Sequence, residues 1–172
     1  MIFHSSKISI AKKKIAQLVE EQAGKKFPPS PKTLGIILDA RNGDAFRELK
    51  KLKDILNIQE KKFKVFLFST SKAKPKNGET KVFNLQDFDS KAEISNEEIQ
   101  KISSQGVDLL ITFAAENNTT VHLLTAHFKA GVKVGRYQQN AALYDLILQT
   151  EDDAELFVEE LLKYISHLTK KK

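Results

Sequence analysis

The chain contains no cysteine and no tryptophan among its 172 residues. Without a thiol there is no disulfide framework, no cysteine-ligated zinc, no iron–sulfur cluster and no sulfur nucleophile, because each requires that atom as ligand or reactant. Long apolar runs are also missing: nothing approaches the roughly 18 consecutive apolar residues that cross a bilayer. The opening stretch MIFHSSKISIAKKKIAQLVEEQ interleaves charge with apolar residues, where a secretory signal carries a continuous apolar block. A cytoplasmic protein with no membrane span is the expectation. Glycine is scarce, and its seven occurrences never fall at G-x-G-x-x-G or G-x-x-x-x-G-K-[ST] spacing, so the dinucleotide fingerprint and the phosphate-binding loop are both absent. The G-x-S-x-G nucleophile elbow is absent too. His122 and His127 are five residues apart, about 140° around a helix, too divergent to chelate one metal. His4 and His167 lie near the chain ends. The cofactor is therefore left unknown, with no metal or dinucleotide signature.

What is present is an ordinary globular composition, 41% hydrophobic and 29% charged, at the size of one domain. The net charge of +6 is unevenly placed. Seven lysines against two glutamates give residues 1–32 a charge of +5, and the last three lysines add +3, so the rest of the chain carries −2. A protein that tracks a phosphate backbone carries its basic face on the fold itself. Nucleic acid is therefore not an expected partner.

Apolar periodicity divides the chain into alternating elements. Ile8, Ala11, Ile15, Leu18, Val19 and Gln22 form one helical stripe that Gly24 ends. The stiff segment Phe27-Pro28-Pro29-Ser30-Pro31 follows. Residues 1–31 thus read as an N-terminal amphipathic helical arm with a Pro-rich connector, either packed on the flank of its own domain or free to meet a partner. Residues 32–172 read as a single α/β domain. Its strands are expected at Thr33–Leu38, Phe63–Phe68, Lys81–Leu85, Val107–Phe113, Val132–Tyr137 and Leu143–Leu148. Between them, helices are expected with Phe46, Leu49, Leu52 and Leu56 inward and Lys50, Lys51 and Lys53 in solvent, from a Ser95/Glu98 capping box to Gly106, and from Thr119 to a stop at Gly131. Asn77-Gly78 is expected to turn. A closing helix over Asp152–Leu168 should bury Phe157, Leu161, Tyr164, Ile165 and Leu168. The pattern predicts a three-layer α/β/α sandwich with a mostly parallel sheet of five or six strands, Rossmann-like, in the order 3-2-1-4-5-6.

Open parallel sheets bind ligands beyond the carboxyl ends of their strands. Three loops meet that rule. The first holds Asp39, Arg41 and Asn42; Asp39 ends its strand, but Arg41 stands where an aspartyl phosphotransferase has a second aspartate. The second holds Glu116, Asn118 and Thr119 ahead of a helix whose free amides favour an anion. The third holds Gly135 and Arg136. Each has a blander reading: Asn42, Asp44 and Asn118 are good helix caps, and Arg41 can pair with Asp39.

Phe83, Asp87-Phe88, the strand VDLLITF, Leu123-Leu124 leading to Val132-Lys133-Val134-Gly135, and Tyr144-Asp145-Leu146-Ile147 follow one another in an order that resembles an uncharacterised bacterial family of short α/β proteins of unknown function. The resemblance covers Lys32 to Leu168 and implies the fold without any activity or catalytic residue. Members of that family often carry a tryptophan after the Asp-Phe pair, which this chain lacks. The stretch from VDLLITF to KVG also looks like the donor-binding half of two-domain glycosyltransferases, whose second domain has no room in 172 residues.

The function expected is that of a non-enzymatic or accessory domain binding an anionic small molecule, or a protein partner such as a second copy, at the carboxyl edge of the sheet. One alternative is a small transferase or hydrolase acting on a phosphorylated or nucleotide-type substrate through Asp39, Glu116 and Arg136. The other is attachment to a partner or acidic surface through the basic N-terminal helix.

Overall fold

The computed structural model describes residues 2–21, 30–41, 43–70, 80–137 and 142–170. The expected Asn77-Gly78 turn, the stop at Gly24, most of the proline connector and Asn42 lie outside them. Six strands, β1 (Leu34–Asp39), β2 (Phe63–Phe68), β3 (Thr80–Phe83), β4 (Val107–Phe113), β5 (Ala130–Gly135) and β6 (Leu146–Ile147), form one sheet. Every pairing is parallel and the order is β3-β2-β1-β4-β5-β6, as the sequence pattern predicts. The helices are α1 (Ile2–Glu21), α2 (Gly43–Ile55), α3 (Glu97–Gln105), α4 (Thr119–His127) and α5 (Ala154–Lys170).

Period-two alternation sends successive residues of each strand to opposite faces. Ile36 and Leu38 of β1, Leu109 and Ile111 of β4 and Val132 and Val134 of β5 meet Leu49 and Leu52 of α2 and Phe157, Leu161 and Ile165 of α5. The intervening Ile37, Phe66 and Leu110 meet Ile99 of α3, Val121 and Leu124 of α4 and Ala11 of α1. The result is three layers, with helices on both faces. Edge-to-face ring pairs lock each side: Phe113 with Phe157 at 5.4 Å and 90°, and Phe66 with Phe128 at 5.4 Å and 75°.

The helical layer that holds α4 is doubled, with α1 lying over it. All of α4 from Thr120 to Ala126 is buried, with the sheet beneath it and α1 above it. The predicted stripe of α1 is the surface that does the covering, since Ala11 is fully buried and Ile15, Leu18 and Val19 pack around Ala126, Leu143 and Tyr144.

Four local expectations are corrected. The cap of α3 is Asn96, not Ser95: its side-chain oxygen accepts from the amides of Glu98 and Ile99, while its amide group donates to Asp87. Helix α4 ends at His127, short of Gly131, because Phe128 turns to extended backbone to place its ring on Phe66, and Gly131 already belongs to β5. Lys53 is not free in solvent; it pairs with Glu60 and lies over the Phe63 ring. Tyr164 is 41% exposed where the stripe of α5 placed it inward. The remaining shifts are of element ends, such as β6, which is only two residues long, and α5, which starts at Ala154 rather than at the expected Asp152.

Candidate functional site

In this strand order the sense of winding reverses between β1 and β4, and open parallel sheets commonly take ligands beyond the carboxyl ends of the strands at such a point. The two loops are tied together there. Asp39, the last residue of β1, is buried and accepts from Arg41 Nε at 3.0 Å, Arg41 Nη2 at 2.7 Å and the Arg41 amide at 3.0 Å. Its second oxygen also accepts from Asn118 Nδ2 at 3.3 Å. Burial raises the Asp39 carboxyl, but the hydrogen bonds and charge of Arg41, with Asn118, outweigh it and hold the group below its ordinary range. The Arg41 side chain remains 82% exposed.

Asn118 performs a second task as the cap of α4. Its Oδ1 accepts from the Val121 amide and its carbonyl from the His122 amide, while the Thr119 amide turns back to Asn117. The amides at this helix end are thus engaged largely by the chain's own residues, which leaves less for an anion than the sequence alone implies.

Glu116 and Thr119 face a different space. They line a cleft of about 570 Å³ between the start of α4 and the second half of α1, at the carboxyl edge of the sheet. Ile15, Ala16 and Val19 of α1 and Leu143 supply its apolar wall. Beneath it sits a buried polar network. His122 Nε2 donates to the Ala115 carbonyl at 3.1 Å, so the Tyr144 hydroxyl donates to Nδ1 at 2.7 Å. Thr125 donates to the Val121 carbonyl, and Thr112 donates to Thr125 at 2.7 Å. Both threonines also reach the Tyr144 hydroxyl. Burial is the main cause that lowers the His122 pKa and raises that of Tyr144. Gly135 makes the arrangement possible, because a Cβ there would stand 2.7 Å from the Tyr144 ring.

Arg136 stands apart from both groups. Its side chain is 1% exposed, stacked on Phe113 at 3.8 Å and Tyr137 at 4.9 Å. It donates to the Ala114 carbonyl at 2.6 Å, to the Glu151 carbonyl and to Asp152 at 3.1 Å, and its Nε finds no acceptor among the described residues. The seven residues singled out by sequence therefore divide. Asp39, Arg41 and Asn118 form one knot, Glu116 and Thr119 open onto the cleft, Arg136 is a buried clamp, and Asn42 lies outside the described residues. A small hollow of about 330 Å³ adjoins Asp39 and Arg41. Among the described residues no group of three or more His, Asp or Glu is placed to hold a metal ion, and no helix is long and apolar enough to cross a membrane.

The sequence reading missed the α1 wall of the cleft and the His122–Tyr144–Thr112–Thr125 network. One signal was available: Thr112 and Thr125 are polar residues inside otherwise apolar runs, and buried hydroxyls need partners. His122 is buried and His127 half-buried, and in each case burial lowers the pKa from 6.5. They stay neutral in the fold where the unfolded chain takes up protons, so stability is full above about pH 7 and falls as pH drops through 6.5. Urea midpoints at pH 7.5 and 5.5 will show this loss, and His122→Gln with His127→Gln will reduce the difference between them.

The class defined by these features is a doubly wound, all-parallel α/β domain with a helix-covered cleft at the carboxyl edge of its sheet. The chain belongs to the family of unknown function DUF6913, which it matches over residues 7–168, a span that takes in most of α1. No curated protein and no solved structure matches it.

Proposed function

We infer that this chain is a non-catalytic binding domain whose ligand site is the cleft between α1 and α4. The observation that carries this reading is a division of labour at the carboxyl edge. Asp39, Arg136 and His122 are engaged by partners within the chain, whereas the cleft beside them presents an open apolar wall with a few polar groups. Catalysis by Asp39 or His122 needs a lone pair or proton directed at a substrate. Both histidine nitrogens are occupied, and Asp39 is held by Arg41 and Asn118. A volume near 570 Å³ falls within the range typical of small-molecule sites, about 300–1,000 Å³.

A thermal-shift screen across nucleotides, sugar nucleotides, phosphorylated metabolites and amines tests the reading. A ligand at about 100 times its dissociation constant adds about 2.7 kcal/mol of stability. The shift should vanish in Ala16→Phe, which fills the cleft from an exposed position on α1, and persist in Arg41→Ala. The reverse result would move the site to the Asp39 hollow and return an anionic ligand to first place. Turnover of any compound would refute the non-catalytic reading.

A further inference from the structure

We propose that the ligand of this cleft is a small organic cation, an ammonium or guanidinium group joined to an apolar body. This deepens the assignment of the cleft as the binding site and rests on it. The apolar wall of Ile15, Ala16, Val19 and Leu143 calls for an apolar body. The charge around that wall then chooses the head group. Among the described residues, Glu20 and Glu116 both line the cleft, Lys12 is the single cation doing so, and neither glutamate has an ion pair. His122 adds no charge, because burial keeps it neutral and its Nε2–H is directed at Ala115.

The groups that would favour an anion are taken. Two of the three guanidinium nitrogens of Arg41 sit on Asp39, Arg136 is enclosed by Phe113 and Tyr137, and the start of α4 is capped by Asn118. Of the described lining residues, a ligand carboxylate or phosphate in the cleft would meet two like charges with one lysine to offset them. An ammonium there finds two carboxylates at the rim, with the Thr119 hydroxyl and the Asn117 side chain as further acceptors. The walls all come from one chain and enclose a volume suited to a free small molecule, which selects that source over the side chain of a partner protein.

Three probes of matched length separate the outcomes: hexylammonium, hexanol and hexanoate, each titrated into the full chain and followed by amide chemical shifts. Hexylammonium should bind saturably at about millimolar concentration, as its few non-hydrogen atoms allow, with shifts centred on Ala16, Glu116 and Thr119. Hexanol should bind more weakly and hexanoate most weakly. Glu116→Gln and Glu20→Gln should each weaken hexylammonium about two- to five-fold, the range for exposed charge pairs, and leave hexanol unchanged. Hexanoate binding as well as or better than hexylammonium would overturn the charge assignment while leaving the cleft as the site. If none of the three perturbs the cleft amides, or if Ala16→Phe binds them as the unaltered chain does, the assignment of the cleft itself fails.

Discussion

Deleting residues 1–27 yields a chain that no longer unfolds cooperatively and collects in the insoluble fraction. Helix α4 explains why. From Thr120 to Ala126 it has no solvent face, so removing α1 uncovers a surface built for the interior. Ala11, Ile15, Leu18 and Val19 leave with the deleted segment, and Ala126, Leu143 and Tyr144 lose their cover. Partial burial of side chains this size contributes about 1–2 kcal/mol each, and the exposed face of α4 adds a similar amount. The loss is then of the order of the whole folding free energy, about 5–15 kcal/mol. A point change makes the same case without truncation. Ala11 has zero exposure, so Ala11→Asp places a carboxylate between α1 and the core at a cost of about 3 kcal/mol or more. Lys13→Asp, on the exposed side of the same helix, should stay within about 0.5 kcal/mol of the unaltered chain. Circular dichroism and urea midpoints of the pair measure the contrast. If the truncated chain is a soluble monomer with a sharp transition, α1 is an appendage and the cleft has lost one of its walls without loss of the fold.

Much of this architecture was legible because it follows from two periods and one connection rule. TLGIIL, FKVFLF and VDLLITF are short, largely apolar runs bounded by turn residues, which marks them as strands, and the helical stripes between them fix parallel crossovers. The details that were not legible depend on contacts distant in sequence. Ser95 and Asn96 are equally good caps in isolation, and it is Asp87 that holds the Asn96 amide and selects it. Gly131 looks like a helix stop until Phe128 is seen against Phe66, which ends α4 three residues earlier. Tyr164 belongs to the apolar stripe of α5 by angle, but the centre of that stripe lies between Leu161 and Ile165, and its border reaches past the cover of the core.

The site was legible to a smaller depth. The strand-end rule pointed to two loops that do meet, since Asp39 and Asn118 are hydrogen-bonded at the reversal point across 79 residues. Which side chains open onto a cleft was beyond it. Glu116 and Thr119 open onto the cleft only because α1 lies across α4, and the stripe of α1 announces that it will be buried without saying against what. His122 has the same history. Its residue type is compatible with a base or a metal ligand, and its role as a neutral link between Ala115 and Tyr144 appears only when Gly135 lets the tyrosine ring approach the backbone.

Arg136→Ala should lower the unfolding free energy by about 3 kcal/mol, which for a chain of this size moves the thermal midpoint down by about 6–12 °C. Three losses add up. The carbonyls of Ala114 and Glu151 lose their donor, the slot between Phe113 and Tyr137 empties, and the end of β4 is untied from the turn that starts α5. The ion pair is the smallest part, because Asp152 is 89% exposed, and Asp152→Asn should cost less than about 1 kcal/mol. Arg136→Lys keeps the charge but not the planar fork that reaches two carbonyls while stacking on a ring, so it should recover less than half of the loss. Arg136→Met fills the slot without supplying a donor, and its midpoint therefore separates packing from hydrogen bonding. The same series distinguishes a clamp from a ligand-binding cation. A clamp shifts the midpoint equally with and without a cleft ligand, whereas a binding group leaves the midpoint of the free protein near that of the unaltered chain and removes only the stabilisation the ligand provides. The burial of Arg136 and the carbonyls it holds place the expected result with the clamp.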